Sequence, residues 1–180
     1  MPTHPLEVLY EDNHLLAIVK PAGLPTMGVA EGKPNLLAVA KQYLKEKYAK
    51  PGNVYLGVVS RLDAPVTGVV LLARTSKAAR RLTAQFRNQL VEKTYWAVVE
   101  GKVFPAAAGL IDWIAHDERH RSMHVVEAHA HGAKEARLAY QVLKIEGGFS
   151  LVEIGLQTGR KHQIRLQLAH RGYPIVGDRK

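Results

Sequence analysis

The feature that most constrains the fold of this chain is a turn between two apolar runs, which spans residues 59–74. Arg61 and Asp63 end the first run, a proline and a glycine punctuate the turn, and a β-branched run follows. Strands on both sides would hold the turn rigidly and so fix the geometry of its side chains. Asp63 is therefore either an ion-paired structural group or a nucleophile.

Composition favours one compact domain that meets a polyanion. The 180 residues are 47% hydrophobic, which suits a single core, and no run approaches the ~20 apolar residues of a membrane span. The absence of cysteine excludes disulfides and thiolate chemistry, and the first residues lack the pattern of a signal peptide, so we expect a cytoplasmic protein. The net charge of +9 favours a nucleic-acid partner over scattered surface charge.

Three helices are predicted from apolar spacing and from capping residues. Asn35 begins the first helix, and Ser76 is expected to cap a second helix over 77–87 with a basic face. Thr158 is expected to cap the third helix, which carries Lys161 and Arg165 on one face. The start of that helix, flanked by Gly159, Arg160 and Lys161, is expected to bind an anion.

The rest of the chain reads as strands and turns. Tyr95 and Trp96 are adjacent in a predicted strand and must point to opposite faces. Leu110 to Ile145 reads as irregular strand and loop, and its histidines indicate surface imidazoles better than a metal site, because their spacing matches no zinc motif. Lys20, at a strand end beside a proline-glycine bend, either contacts phosphate or is solvated.

Several stretches together resemble the RluA-type family of pseudouridine synthases, and they occur in the right order along the chain. They are Lys20-Pro21-Ala22-Gly23, Arg61-Leu62-Asp63 with Thr67-Gly68, Glu92 to Gly101 around Lys93-Thr94-Tyr95, and Gly159-Arg160-Lys161-His162-Gln163-Ile164-Arg165 through Asp178. Two departures stand out. Ser60 occupies the position where the family often has histidine, and the chain stops at Lys180 where members continue with further core strands. We therefore expect a short family member or a fragment.

The resemblance implies an α+β fold, with a bent, mostly antiparallel mixed sheet flanked by helices and a central basic cleft. We expect residues 1–180 to form a single catalytic domain without an N-terminal accessory RNA-binding domain. The implied enzyme is an isomerase that converts uridines of ribosomal or transfer RNA to pseudouridine. It needs no cofactor and no metal, and a monomer is the expected state.

The resemblance also assigns roles to site residues. Asp63 would be the nucleophile that attacks either the sugar or the ring, and Arg165 would pair with it. Tyr95 would stack on the uracil and offer its hydroxyl for proton transfer. Arg61 would help to fill the space that the extruded nucleotide leaves. Lys20, Arg160, Lys161 and His162 are the remaining expected RNA contacts.

Other interpretations stay open at this point. An Asp63–Arg165 ion pair could merely fix the fold, since most such pairs are structural. The chain could be a catalytically impaired RNA-binding module of the same fold. A third possibility, from another class, is a metal hydrolase that uses the histidines of residues 116–131.

Overall fold

The structure is a computed structural model that describes residues 6–30, 32–120 and 122–178. The chain divides into two compact units, the first ending at Leu90 and the second beginning at Val91. Each unit has its own hydrophobic core. The expectation that the whole chain forms one catalytic domain stays a prediction.

The first unit is a four-stranded antiparallel sheet with two helices. Its elements are β1 (Val8–Glu11), β2 (Leu15–Lys20), α1 (Leu36–Lys47), β3 (Gly57–Val58), β4 (Gly68–Ala73) and α2 (Ser76–Arg87). The strands lie in the order β1-β2-β4-β3. Alternate residues of β2 are buried, and Leu16 and Ile18 lie opposite Leu72 and Val70 of β4. These residues pack with the buried face of α1 to form the first core.

The two helices of the first unit begin with capping side chains. The Asn35 side chain accepts a hydrogen bond from the amide of Ala38 at 3.0 Å, which confirms the predicted start of α1. The prediction that Ser76 caps α2 is wrong. Thr75 is the cap, because its backbone is extended and its hydroxyl accepts from the amide of Ala78 at 3.1 Å.

The second unit is a five-stranded antiparallel sheet with one short helix. Its elements are β5 (Thr94–Glu100), β6 (Ala107–Asp117), β7 (Ser122–Val126), β8 (Lys134–Glu146), β9 (Phe149–Leu156) and α3 (Gln163–Ala169). The strands lie in the order β5-β9-β8-β6-β7. The prediction of irregular structure between Leu110 and Ile145 is therefore wrong, because most of this stretch belongs to three regular, paired strands.

The two faces of the second sheet differ in how far they are buried. One face packs on Leu168 and Ile164 of α3 and forms the second core, with Tyr95 turned toward it. The other face leaves Trp96 68% exposed, and the indole nitrogen donates to Glu153 at 2.8 Å. The opposite orientations predicted for Tyr95 and Trp96 are thus confirmed.

The third helix is shorter than predicted. It begins at Gln163, after His162, whose backbone is left-handed at a φ of 58°, and the expected cap Thr158 lies five residues earlier. The α+β class and the antiparallel pairing agree with expectation, and every strand pairing in the described part of the chain is antiparallel. Within those same ranges, no helix has the length and apolar character needed to cross a membrane.

Candidate active site

Asp63 lies half-buried in the loop that joins β3 to β4 in the first unit. Its backbone carbonyl accepts a hydrogen bond from the amide of Val66 at 3.1 Å, which closes a turn. Arg61, two residues earlier in this loop, is exposed. The predicted nucleophile therefore sits in a tight turn with a cation beside it in the sequence.

The segment that follows β2 holds this loop through hydrogen bonds on both sides of Asp63. The hydroxyl of the buried Thr26 donates to the carbonyl of Leu62 at 2.9 Å and accepts from its amide at 3.2 Å. The amide of Gly23 donates to the carbonyl of Ala64 at 2.8 Å. The backbone that carries Asp63 is thus fixed by residues about 40 positions away in the sequence.

Lys20 completes this support and is fully buried, with 0% of its surface exposed. Its ammonium donates to the carbonyls of Pro21, Leu24 and Ala64 at 2.8–2.9 Å. Burial lowers the pKa of the Lys20 ammonium, and the negative charge of Asp63 acts in the opposite direction. The structure does not support the predicted phosphate contact of Lys20, because its ammonium is buried and donates to backbone carbonyls of the first unit.

Tyr95 lies on β5 of the second unit, half-buried against the core. The pKa of a phenol already lies well above neutral pH, and burial raises that of Tyr95 further, so its hydroxyl is protonated at neutral pH. Lys93 precedes the strand, and burial lowers the pKa of its ammonium. A neutral phenol suits stacking and hydrogen-bond donation better than removal of a proton.

Arg165 projects from α3 into a cluster of polar side chains in the second unit. Its guanidinium bonds both carboxylate oxygens of Asp178, and another of its nitrogens lies 3.0 Å from Nδ1 of His162. Such a bidentate pair fixes the orientation of the guanidinium as well as its charge. Sequence reasoning did not assign Asp178 a role, since no local spacing links it to a residue 13 positions earlier.

Arg160 and Lys161 are exposed in the turn before α3. The Arg160 side chain donates to the backbone carbonyl of Glu135 at 2.8 Å, which holds the guanidinium near the beginning of β8. The half-buried His162 follows in a left-handed conformation. The structure therefore brings the expected contacts Arg160, Lys161 and His162 together with Arg165.

The predicted site residues divide between the units, with Asp63, Arg61 and Lys20 in the first and the others in the second. The expectation that Asp63, Arg165 and Tyr95 form one site stays a prediction. Sequence reasoning missed Gln163 and Gln167, which are buried and bonded to each other. Their spacing of four on a helix with an apolar face was the available signal.

The histidines of the 116–131 region lie on β6 and β7 and in the turns next to these strands. His120 pairs with Asp117 at 2.7 Å, and His124 bonds Ser122 at 2.7 Å. Among the residues that the structure describes, no three histidine, aspartate or glutamate side chains are grouped to hold a metal ion. The imidazoles of His120 and His124 are thus engaged in local surface contacts.

Comparison with known proteins decides the family. The model of the RNA pseudouridylate synthase family matches residues 14–170. The chain belongs to this family. It is 37% identical over 175 residues to ribosomal large subunit pseudouridine synthase D of Pseudomonas aeruginosa, covering 96% of the chain and 52% of that protein.

One further curated relative and one solved structure agree with this family assignment. Identity to tRNA pseudouridine synthase C of Pectobacterium carotovorum is 34% over 185 residues, which is 96% of the chain and 47% of that protein. The solved structure of human RNA pseudouridylate synthase domain containing 4 superposes with a TM-score of 0.81 at 30% identity, covering 96% of the chain and 67% of the human one. The chain spans about half the length of the curated relatives it matches.

Proposed function

We propose that this chain is an RNA pseudouridine synthase, an isomerase that acts on uridines of ribosomal or transfer RNA. One relative described above is named as a ribosomal and another as a tRNA pseudouridine synthase, and family membership supports the reaction. The observation that carries the proposal is the support of Asp63: its loop is bonded on both sides by residues 20–26. A reacting carboxylate needs a fixed backbone of this kind.

The reaction breaks the bond between the sugar and a ring nitrogen of uracil, turns the base and bonds the sugar to a ring carbon. That carbon loses its proton, and the freed ring nitrogen gains one. It is an isomerisation without net oxidation, so its chemistry calls for no redox cofactor. In the proposed mechanism Asp63 attacks either the sugar or the ring while ionised. Tyr95 stacks on the free base, and its protonated hydroxyl donates a hydrogen bond. Arg165, oriented by Asp178, supplies positive charge next to the reacting carboxylate.

The RNA contacts that we propose are basic residues of each unit. Arg61 stands next to the nucleophile, while Arg160, Lys161 and His162 precede α3. Extruding a nucleotide from structured RNA costs a few kcal/mol, and phosphate contacts by such cations offset part of that cost. The net charge of +9 supports this partner. A cytoplasmic location and a monomeric state are part of the proposal.

The test replaces the nucleophile without changing its size. Asp63→Asn should reduce pseudouridine formation at least about a thousandfold, because the amide cannot form the covalent bond. Tritium release from uridine-labelled RNA measures turnover, and filter binding of the same RNA measures affinity. Glu7→Gln removes an exposed carboxylate of the same unit and should leave turnover unchanged.

The controls separate the two remaining interpretations. Full activity of Asp63→Asn would contradict the nucleophile assignment. Tight RNA binding by a wild-type protein with no turnover would instead identify the RNA-binding module. Equal melting temperatures of the wild type and both variants would show that the folded population is the same in each assay.

A further inference from the structure

Two glutamines of α3 form a buried chain of hydrogen bonds in the second unit. Gln163 is 3% exposed and Gln167 is 0% exposed, and the amide of Gln163 donates to the side-chain oxygen of Gln167 at 3.0 Å. Gln167 then donates to Oδ2 of Asp112 at 2.7 Å and to the carbonyl of Ala136 at 3.2 Å. We call this chain, from Thr158 through Gln163 and Gln167 to Asp112, the amide relay.

The start of the amide relay lies at Gln163, the first residue of α3. The side-chain oxygen of Gln163 accepts from the Thr158 hydroxyl at 2.7 Å and from the Arg160 amide at 3.0 Å. The amide nitrogen of Gln163 also donates to the carbonyl of Arg137 at 3.0 Å. His162 at the helix start makes no side-chain cap bond. The first turn of α3 is therefore tied to β8 and to the preceding loop by one side chain.

The direction of the amide relay is fixed at both ends. The backbone amide of Arg160 can only donate, so the oxygen of Gln163 must face it. At the other end the ionised Asp112 can only accept, and Arg171 keeps it charged with a bond of 2.8 Å. Each glutamine thus has a single orientation that satisfies its neighbours, and a rotated helix would leave buried polar atoms without partners.

The position of Arg165 in α3 connects the amide relay to the site. Arg165 lies two residues after Gln163 and two before Gln167, which at about 100° per residue places it on the opposite side of the helix. Fixing the rotation of α3 by the glutamines therefore fixes the direction in which the guanidinium projects. Buried amides are a costly way to fill a core, since apolar side chains of the same size would need no partners.

We propose that Gln163 and Gln167 are positioning residues that hold Arg165 in its reactive orientation through the amide relay. The inference rests on the proposed function, in which Arg165 serves the reacting carboxylate. It predicts that breaking the relay changes the rate of the chemical step more than it changes RNA binding. A merely structural pair of glutamines would change only stability.

The test compares Gln163→Met and Gln167→Met with Gln141→Met in the full chain. Methionine keeps the length of the side chain and removes all its strong hydrogen bonds. Gln141 is exposed on β8, so the control makes the same chemical change outside the relay. Gln167→Met leaves the bonds of Gln163 to Thr158 and Arg160 in place, which makes it the milder variant if Gln163→Met folds poorly.

Two readouts are measured on uridine-labelled RNA and on the free protein. We expect kcat to fall about tenfold or more in each relay variant, with KM within twofold of wild type, while Gln141→Met matches wild type. In NMR spectra of the free protein, the Nε–H signal of Arg165, which donates to Asp178, should shift or broaden only in the relay variants. This second readout does not depend on turnover.

The outcomes distinguish the inference from the proposed function. Reduced melting temperatures with an unchanged Arg165 signal would overturn the inference, as would an unchanged kcat in an active protein. A wild-type protein without turnover would contradict the proposed function alone. In that case a shifted Arg165 signal in the relay variants would still support the positioning role.

Discussion

At the scale of single residues, Lys20 shows how a polar side chain can be misread from its neighbourhood. Its position at a strand end beside a proline predicts an exposed cation. The alternation along β2 indicates the opposite, because Lys20 shares a face with the buried Leu16 and Ile18. The carbonyls of Pro21, Leu24 and Ala64 accept hydrogen bonds from the buried ammonium, and Ala64 lies 44 residues away, where the local sequence cannot reveal it.

Removing the Lys20 ammonium should destabilise the protein. Lys20→Met would leave the carbonyls of Pro21, Leu24 and Ala64 without their donor, and we expect a loss of about 2–4 kcal/mol in the free energy of unfolding. Urea denaturation followed by circular dichroism measures it. Lys45→Met, at an exposed position of α1, should change stability by less than about 0.5 kcal/mol. Equal stabilities of the two variants would contradict the role given to Lys20.

At the scale of elements, the helix starts show which local signals can be read from sequence. Asn35 is correctly predicted because it stands alone next to Pro34 as a capping residue. Before α2, Thr75 and Ser76 are adjacent hydroxyl residues, and sequence offers no rule to choose between them. The choice depends on the backbone: Thr75 is extended, at φ −136° and ψ 153°, while Ser76 is already helical.

The two hydroxyls before α2 can be separated by mutation. Thr75→Ala removes the acceptor for the Ala78 amide and should cost about 1 kcal/mol of stability. Ser76→Ala, at an exposed position of the first turn, should be close to neutral. Thermal unfolding of both variants under identical conditions compares them directly. A larger loss for Ser76→Ala would show that the cap lies one residue later.

Glu11 links three elements of the first unit through a cluster of hydrogen bonds. Its carboxylate accepts from Tyr43 at 2.8 Å and Tyr48 at 2.6 Å, and it pairs with Lys47 and Arg74 at 2.8 and 3.0 Å. Burial alone would raise the pKa of Glu11, but the bonds from Lys47, Tyr48 and Tyr43 lower it from 4.5 to about 2. The cluster therefore joins β1, α1 and the end of β4 through one ionised group.

This cluster predicts a definite dependence of stability on pH. Because the folded pKa is below the unfolded one, the stabilising contribution of Glu11 is complete above pH 4.5 and is lost as the pH falls toward 2. Glu11→Gln should be less stable than wild type at pH 6, by about 1–3 kcal/mol, and this difference should shrink between pH 4.5 and 2. Unfolding free energies measured across that range test it. A difference that stays constant with pH would contradict the assignment.

At the scale of the whole molecule, the sequence predicts the class of the fold better than its internal boundaries. Antiparallel strands follow from alternation and from turn residues such as Gly147 and Gly148, which join β8 to β9 with positive φ angles. The separation into two cores does not follow from such local patterns, because it depends on which strands pair over long distances. The pairing of Arg165 with Asp178 was not predicted because no local spacing links residues 13 positions apart.

The placement of both tryptophans, Trp96 and Trp113, in the second unit makes the two units optically distinguishable. Tryptophan emission reports that unit only, and on unfolding it changes mainly through the half-buried Trp113, because the indole of Trp96 is already exposed to water. Far-ultraviolet ellipticity registers the helices and strands of both. If the chain behaves as one cooperative domain, the two signals will change together on heating; ellipticity lost before the emission changes would reveal a first unit that melts by itself.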